Sequence, residues 1–387
     1  MATQSSVRIS NQELIIQYLM KNGETSRAKL AKNLNISKPT ISLNAEKLIE
    51  KEILMETGEG ESSGGRKPTL LNFNYNHRIL VAIDLNRNQP LIALSNLSGQ
   101  LKFSTTLEME VTEKKPFLVQ RLTTAINDLI TSHDYDLSSL GAISIAVPGV
   151  IDDLTDEIFA NPQDNLWTDL KLKKVLSEIY HVPVIMKNDI SMAALGEKHY
   201  GVGQNYDDLM YVSSGSGVGA GLIVNGELFQ GKRNFAGEIG FSKINGVDGK
   251  TLEESISTPV LLEKIKQDIE EGQETLLSKD QMDSLKISDI QKAIESGDVY
   301  LTDLMKASGV MLGIVVANVA LIMDLETVII GGVLSEVSEV FIEGVAETVK
   351  KIMPFKTKIY KSKLGQVSGI YGLLVVAKSL VLNRLID

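Results

Sequence analysis

Cysteine is absent from the 387 residues of the chain. Its absence excludes disulfides, cysteine-ligated zinc and thiol catalysis together. Histidine is scarce, and the four histidines lie too far apart in sequence for the usual metal-binding spacing: His77, His133, His181 and His199. We therefore expect no metal site built from side chains.

Long hydrophobic runs are also missing. The first residues contain no apolar segment of the kind found in signal peptides. The most apolar stretch, residues 314–323, is interrupted by Asn318 and is too short to cross a bilayer. We expect a cytoplasmic protein without membrane contact, whose 43% hydrophobic content is enough to form two or three domain cores.

Positive charge is in short supply outside the N-terminal region. The chain has a net charge of −10, yet residues 1–70 carry ten Lys and Arg against eight Glu. A slightly basic N-terminal module on an acidic body is compatible with nucleic-acid contact by that module alone.

The N-terminal region has the pattern of a winged helix-turn-helix. Three helical segments lie within residues 11–52, with Ser26 and Ser37 as candidate N-caps. Two strand-like runs around a polar, glycine-rich loop then predict a wing. The candidate DNA contacts are polar or basic residues of the third helix and the wing tip: Lys38, Thr40, Ser42, Asn44, Lys47, Arg66 and Lys67.

The third helix would be the DNA-recognition helix, and some of its outward residues are unusual for that role. Its outward positions include Leu43 and Glu46, and a carboxylate there repels phosphate. We therefore expect weak, salt-sensitive binding to double-stranded DNA. The alternative is a winged domain used for protein contact.

Beyond residue 75, strands alternate with helices, which predicts an α/β body with mixed sheets. Residues 211–229 give a strand, a glycine-rich turn, a second strand, an Asn225-Gly226 turn and a third strand. Open amides in such a hairpin suit a phosphate, and the candidates are Gly215, Gly217 and Gly219. The alternative is that these glycines only allow close packing.

Four stretches in order resemble the ROK family (repressors, open reading frames and sugar kinases): residues 146–152, 188–197, the glycine hairpin and residues 235–240. The N-terminal module and the wing at 58–68 resemble the xylose-repressor branch. The resemblance implies a two-lobed body, actin-like or ribonuclease H-like. We expect a winged domain at 1–75, a first lobe at 76–200 completed by a helix at 369–387, and a second lobe with the dimerisation region at 201–368.

The resemblance also implies a sugar site. In the family's kinases the residue matching Asp189 is the catalytic base, and Asn188, Glu238 and Glu253 would contact the sugar. A carboxylate near a helix N-terminus is expected to stay ionised. The alternatives are that Asp189 is only an N-cap and that Glu238 and Glu253 are solvated surface carboxylates.

Three departures from the family argue for a degenerate site. Residues 84–88 lack the glycines of the first phosphate loop, Phe241 replaces a histidine, and residues 245–250 replace the cysteine-rich zinc segment. We therefore expect no ATP, zinc or other cofactor and no catalytic residue, and the sugar site to have lost its scaffold. The same departures count against a bound sugar.

The sequence thus predicts a non-catalytic, homodimeric regulator that acts through weak DNA binding or through a protein partner such as another repressor, as an antirepressor does. The alternatives are a sugar-responsive repressor and, from another class, a sugar kinase. For the dimer, the apolar helix near residues 301–323 offers Gly309 and Gly313 for close packing. The alternative is that this helix is a core helix within one subunit.

Overall fold

The computed structural model describes residues 10–60, 67–85, 89–108, 115–151, 158–159, 167, 170–244, 246 and 249–386. Residues 86–88, in the segment that lacks the family's phosphate-loop glycines, lie outside the described residues. So do the wing residue Arg66 and part of the segment at 245–250.

The N-terminal module is a three-helix bundle with a small antiparallel sheet in the order β1-β3-β2. Ser26 and Ser37 cap the second and third helices through their side chains, as the sequence predicts. The elements are α1 (Asn11–Asn22), β1 (Thr25–Ser26), α2 (Arg27–Leu34), α3 (Lys38–Glu50), β2 (Leu54–Glu59) and β3 (Thr69–Phe73).

The second group of elements surrounds a five-stranded mixed sheet in the order β10-β7-β4-β5-β6. Its elements are β4 (Ile79–Asp84), β5 (Leu91–Asn96), β6 (Phe103–Thr106), α4 (Lys115–Thr131), β7 (Leu140–Val147), β8 (Val150–Ile151), β9 (Ile158–Phe159), α5 (Leu172–Tyr180), β10 (Val184–Asn188) and α6 (Asp189–Tyr200). The strands β4 and β5 are buried along their whole length, which fits their nearly continuous apolar sequence.

The third group is built on a second five-stranded sheet in the order β13-β12-β11-β14-β15. Its elements, with the last helix of the chain, are β11 (Leu209–Ser214), β12 (Val218–Val224), β13 (Glu227–Phe229), α7 (Glu253–Ile256), α8 (Thr258–Glu270), α9 (Ile287–Glu295), α10 (Val299–Met323), β14 (Thr327–Gly331), α11 (Val333–Val337), α12 (Glu339–Ile352), β15 (Lys358–Lys361) and α13 (Ser368–Ile386).

The two large sheets share one topology. In each sheet, the first three strands in chain order form an antiparallel meander. The fourth strand of the sheet then pairs parallel to the first, and the fifth pairs parallel to the fourth. The chain therefore repeats a fold without a visible sequence repeat. We call the bodies built on β4–β10 and on β11–β15 the first and second lobes.

The helix α13 leaves the second lobe and packs on the first, as the sequence predicts. Its Gly372 faces the backbone of Met192 in α6, and Gly196 of α6 faces the backbone of Ser368. The two helices therefore meet backbone to backbone, which only glycine allows at both positions.

The winged module shares its apolar core with the first lobe. The Tyr75 ring packs edge-on against Phe73 at 5.1 Å, and the Leu97 amide donates to the Tyr75 carbonyl oxygen at 2.9 Å. The module is thus fixed to the first lobe by packing and by hydrogen bonds.

The two α10 glycines that were candidates for a dimer contact pack within the chain, while the homodimer itself stays a prediction. Gly309 lies against the backbone of Phe341, and a Cβ on Gly313 would stand 2.7 Å from Thr348 Cβ. Both partners belong to α12, which the sequence analysis did not predict. The glycine face of α10 is therefore used inside the chain, in agreement with the core-helix alternative.

By length and composition alone, two helical segments, Val299–Met323 and Gly365–Leu385, could cross a membrane. About half of each apolar window is buried inside the fold (50% and 44%). Core helices of globular proteins pass the same test, so this is weak evidence for a membrane span.

Candidate ligand cleft and DNA-binding surface

The third helix presents fewer polar groups than its sequence offers. The Ser37 hydroxyl accepts from the Thr40 amide at 3.3 Å and lies 2.8 Å from the Thr40 hydroxyl. The Asn44 side-chain amide donates to the Thr40 carbonyl oxygen at 2.8 Å. Ser42 is half-buried, while Lys38 and Lys47 are exposed. The two lysines are thus the helix's most accessible candidate DNA contacts.

The apolar and acidic positions of the same helix point outward. Leu43 is 55% exposed and Glu46 is also exposed. At the wing, Lys67 is exposed, with its Nζ 3.7 Å from a Glu59 carboxylate oxygen. This surface carries both signs of charge, which limits nonspecific attraction to phosphate.

A small polar cleft lies between the lobes, with about 10 Å³ of enclosed space, room for about one water molecule. The first lobe and the loop after β13 both line it: Ile151, Lys187, Asn188, Ser191, Gln230, Asn234 and Ala236. The Asn234 side-chain amide crosses the cleft and donates to the Ile151 carbonyl oxygen at 2.9 Å. Amide and hydroxyl groups converging from two bodies suit a ligand rich in hydroxyls.

Asn188 is the best-placed predicted sugar contact. Its Oδ1 caps α6 by accepting from the Ser191 amide at 2.8 Å. Its Nδ2 donates to the Gly149 carbonyl oxygen at 3.1 Å and lies 3.2 Å from Asp189 Oδ1. The side chain is therefore held in one orientation at the edge of the cleft.

Asp189 differs from two expectations. The N-cap of α6 is Asn188, so Asp189 is not the capping residue. Burial, with a smaller contribution from the neighbouring Asp84, raises the pKa of Asp189 to about 8, against opposing hydrogen bonds from backbone amides. The helix N-terminus does not outweigh this burial, and the raised pKa counts against the expected ionised carboxylate. A protonated Asp189 can donate a hydrogen bond.

Glu238 and Glu253 are both half-buried, so neither is a fully solvated surface carboxylate. Burial and the charge of Glu253 raise the pKa of Glu238. Glu253 Oε2 accepts from the Val218 amide at 2.9 Å and so fastens α7 to the start of β12.

The glycine hairpin has the predicted strand–turn–strand form, and each candidate glycine has its own surroundings. The Gly215 amide donates to the Gly217 carbonyl oxygen at 2.9 Å, and a Cβ on Gly215 would meet only the Val333 amide nitrogen at 3.9 Å. A Cβ on Gly217 would lie 2.9 Å from Glu253 Oε2, and one on Gly219 would lie 2.6 Å from Ile190. Two of the three glycines thus allow close packing, as the alternative proposed, and Gly215 is the open one.

The segment that replaces the family's zinc loop is held by hydrogen bonds. The Leu252 amide donates to the Ser242 carbonyl oxygen at 2.8 Å, and Lys243 Nζ donates to the Gly249 carbonyl oxygen at 2.8 Å. Thr251 and Glu254 cap each other, at 2.7 and 3.1 Å. Within the described residues, no group of three or more His, Cys, Asp or Glu could hold a metal ion. These hydrogen bonds order the described residues around the replaced segment, and the expected loss of the sugar-site scaffold stays a prediction.

Sequence reasoning missed four polar residues of the cleft: Lys187, Ser191, Gln230 and Asn234. For Ser191 a signal existed, because it lies one helical turn from Asn188. Gln230 and Asn234 lie in an irregular loop whose position only the tertiary fold determines.

Comparison with known proteins gives a consistent picture. Residues 80–379 match the ROK family and residues 8–55 match a winged helix-turn-helix DNA-binding family. The chain is 30% identical to the xylose repressor of Caldicellulosiruptor bescii, covering 96% of each protein. It is 34% identical to the xylose repressor of Bacillus subtilis, over 63% of each chain.

More distant similarities extend to regulators and kinases. The Escherichia coli transcriptional dual regulator NagC is 23% identical, over 98% of this chain and 95% of NagC. A ROK family transcriptional regulator homologous to the E. coli MLC protein superposes with a TM-score of 0.80 at 22% identity, covering 97% of each chain. A ROK glucokinase from Streptomyces griseus gives a TM-score of 0.67 at 21% identity, over 78% of this chain and 99% of the kinase. At these identities, the two structures support a shared fold and nothing more.

Proposed function

The chain belongs to the ROK family, and from that premise we propose that it is a sugar-responsive transcriptional repressor of the cytoplasm. In this proposal the winged module binds an operator and a sugar in the cleft between the lobes changes that binding. The observation that carries it is the polar cleft between the lobes, in a chain whose DNA module is packed directly onto the first lobe. The names of the similar repressors support it as well.

This proposal replaces the antirepressor-like reading as the leading function. Two features had argued for that reading: a sugar site without scaffold and a weak DNA surface. The hydrogen bonds between Thr251 and Glu254 weigh against the first, because they hold the chain beside the replaced zinc segment.

The same geometry supports a regulator without catalysis. Two of the glycines of the second phosphate hairpin, Gly217 and Gly219, are explained by close packing against Glu253 and Ile190, without a role in nucleotide binding. We expect no ATP-dependent phosphorylation of common aldoses in a coupled assay.

The boundaries given above, with the winged domain at 1–75 and lobes at 76–200 and 201–368, remain part of the proposal. So do the predicted roles of Asn188, Asp189, Glu238 and Glu253 as sugar contacts.

Isothermal titration with pentoses, hexoses and their phosphates tests the proposal, together with operator binding followed by fluorescence anisotropy. We expect one sugar to bind and to change operator affinity. Asn188→Ser keeps an oxygen that can cap α6 but removes the amide donors. It should weaken sugar binding, while Gln267→Ala, a change at an exposed amide on α8 outside the cleft and the crossovers, should not.

Tight operator binding that no sugar alters, together with no heat of binding across the panel, would contradict the proposal. That result would favour the second candidate, a regulator that acts through a protein partner. The observation that favours this candidate is that Leu43 and Glu46 of the recognition helix point outward.

A further inference from the structure

Two stretches of chain cross between the lobes. Residues 201–208 run from α6 to β11, and residues 362–367 run from β15 back to α13. Any movement of one lobe relative to the other bends these two crossovers, so the groups that hold them determine where the lobes pivot.

One buried carboxylate holds both crossovers. Glu197, near the end of α6, has no exposed surface. Its Oε2 accepts from the Val202 amide of the first crossover at 2.9 Å. Its Oε1 accepts from the Leu364 amide at 2.9 Å and the Ser362 hydroxyl at 2.6 Å, both in the second crossover.

The local sequence is shaped around this carboxylate. A Cβ on Gly201 would lie 2.5 Å from Glu197 Cδ, so only glycine lets the first crossover pass. A second tie lies nearby, where the Tyr206 and Tyr360 hydroxyls are 2.9 Å apart. This tie joins the first crossover to β15 of the second lobe, while Glu197 joins both crossovers to α6.

The opposite end of α6 carries Asn188 and Ser191 in the cleft. The far wall of the cleft, Gln230 and Asn234, belongs to the second lobe. Because the Asn234 side chain already donates across the cleft to Ile151, a ligand that enters must first part these walls before they close on it. Both movements rotate the second lobe about the crossovers, that is, about the end of α6 where Glu197 lies.

We propose that Glu197 is the positioning residue of an interlobe hinge, a carboxylate that clamps both crossovers and about which the second lobe turns when the cleft closes. The link to ligand binding rests on the proposed function, whereas the clamp itself does not. The chemistry requires a carboxylate, because donors approach both oxygens, and a glutamine would place an N–H group against one of them.

Glu197→Gln is the test, and Glu336→Gln is its matched control. Glu336 accepts from the Gln366 side chain at 2.9 Å and so contacts the second crossover only. Because the chain has no cysteine, Glu178→Cys and Glu263→Cys place one spin label on each lobe without background. Pulsed dipolar spectroscopy then gives the distribution of interlobe distances.

We expect Glu197→Gln to broaden this distribution clearly, and Glu336→Gln to leave it as in the parent protein. By hydrogen exchange, the amides of Val202 and Leu364 should both exchange at least about tenfold faster in Glu197→Gln, as loss of a charged acceptor implies. The amides of β7 should not change. If Glu197 had only a structural role, Glu197→Gln would lower the stability of the protein without speeding exchange at these two amides in particular.

Equal distance distributions in the two variants, or faster exchange in only one crossover, would overturn the hinge. If Glu197→Gln does not fold, Ser362→Ala removes the 2.6 Å hydrogen bond to Glu197, together with the 2.9 Å bond from the Gly365 amide inside the second crossover. It should broaden the distribution less but in the same direction, and no broadening overturns the hinge as well.

A last arm separates the hinge from the proposed function. In Glu197→Gln, the sugar-induced change in operator affinity should shrink at least about fivefold, within the range of a coupling free energy, while sugar-free operator affinity is retained. A parent protein that responds to no sugar but shows the spectroscopic and exchange results overturns the function and supports the hinge. A normal sugar response in Glu197→Gln overturns the hinge and supports the function.

Discussion

The contact between α6 and α13 makes a sharp prediction, because it is backbone against backbone. A Cβ at position 372 would lie 2.6 Å from the Met192 carbonyl carbon and 2.9 Å from its Cα. Nonbonded carbon atoms pack at about 3.5 Å or more. Gly372→Ala therefore requires the two helices to separate by about 1 Å, and no flexible side chain can move aside instead.

The cost follows from that displacement. Overpacking a well-packed core costs about 1–3 kcal/mol and sometimes more. Here the obstacle is rigid backbone on both sides, which favours the upper end. Alanine regains up to about 1 kcal/mol of helix propensity over glycine. We expect a net loss of about 2 kcal/mol in the free energy of unfolding of the first lobe.

Gly369→Ala is the matched control on the same helix. A Cβ there would meet nothing closer than Asp84 Oδ2 at 3.7 Å, an ordinary contact. The same chemical change should therefore be neutral or stabilise by up to about 1 kcal/mol. The two variants are expected to move stability in opposite directions.

Urea denaturation followed by tryptophan fluorescence measures both. The single tryptophan, Trp167, is 5% exposed in the apolar core of the first lobe, so its emission reports the lobe that the two helices complete. Parent-like stability of Gly372→Ala, or an equal loss in Gly369→Ala, would refute the reasoning.

The remaining predictions concern DNA, assembly, metal and pH. Arg66→Ala with Lys67→Ala should remove most DNA binding and reduce the log–log salt slope by about one unit per lost phosphate contact, whereas Glu46→Gln should strengthen binding to any duplex. Anisotropy at two salt concentrations measures both effects. Nanomolar, sequence-selective binding by the parent near physiological salt would contradict the weak surface but agree with the proposed repressor. Light scattering at micromolar concentration should give the mass of a homodimer, and the mass of one chain contradicts it. Elemental analysis after dialysis against chelator should find no stoichiometric zinc. Because the folded-state pKa of Asp189 is raised to about 8, the folded protein holds a proton that the unfolded chain releases above about pH 4, so stability should fall as pH rises from about 4 to 8; urea midpoints across pH should show this fall in the parent and not in Asp189→Asn.

Local chemistry made much of the fold predictable. Asn225 and Gly226 adopt positive φ of 54° and 79°, as a two-residue hairpin requires, and they turn β12 into β13. Ser37 caps α3, and the buried run at Ile79–Asp84 forms β4 with the predicted bounds. These signals lie within a few residues of the structure that they specify.

Distant contacts were less accessible. The helix α12 has apolar residues Phe341, Val345 and Val349 at helical spacing, so its existence could have been predicted. That this helix receives Gly309 and Gly313 could not, because the sequence shows that a glycine permits close approach but does not identify the approaching element. The same holds for Asp189, whose pKa depends on burial and on Asp84 of another strand.

The position of the DNA module constrains how a sugar could regulate it. The module shares the core of the first lobe and is fixed there through Tyr75 and Leu97, so cleft closure leaves its place on that lobe unchanged. What closure does change is the orientation of the second lobe relative to the module, about the crossovers that Glu197 holds. A dimeric repressor recognises two operator half-sites at a fixed spacing. The distance between its two DNA modules changes on cleft closure only if the two chains are joined through their second lobes. The predicted dimer and the proposed sugar response therefore depend on each other: a protein that remains a monomer on its operator has no geometric route from the cleft to the DNA in this fold.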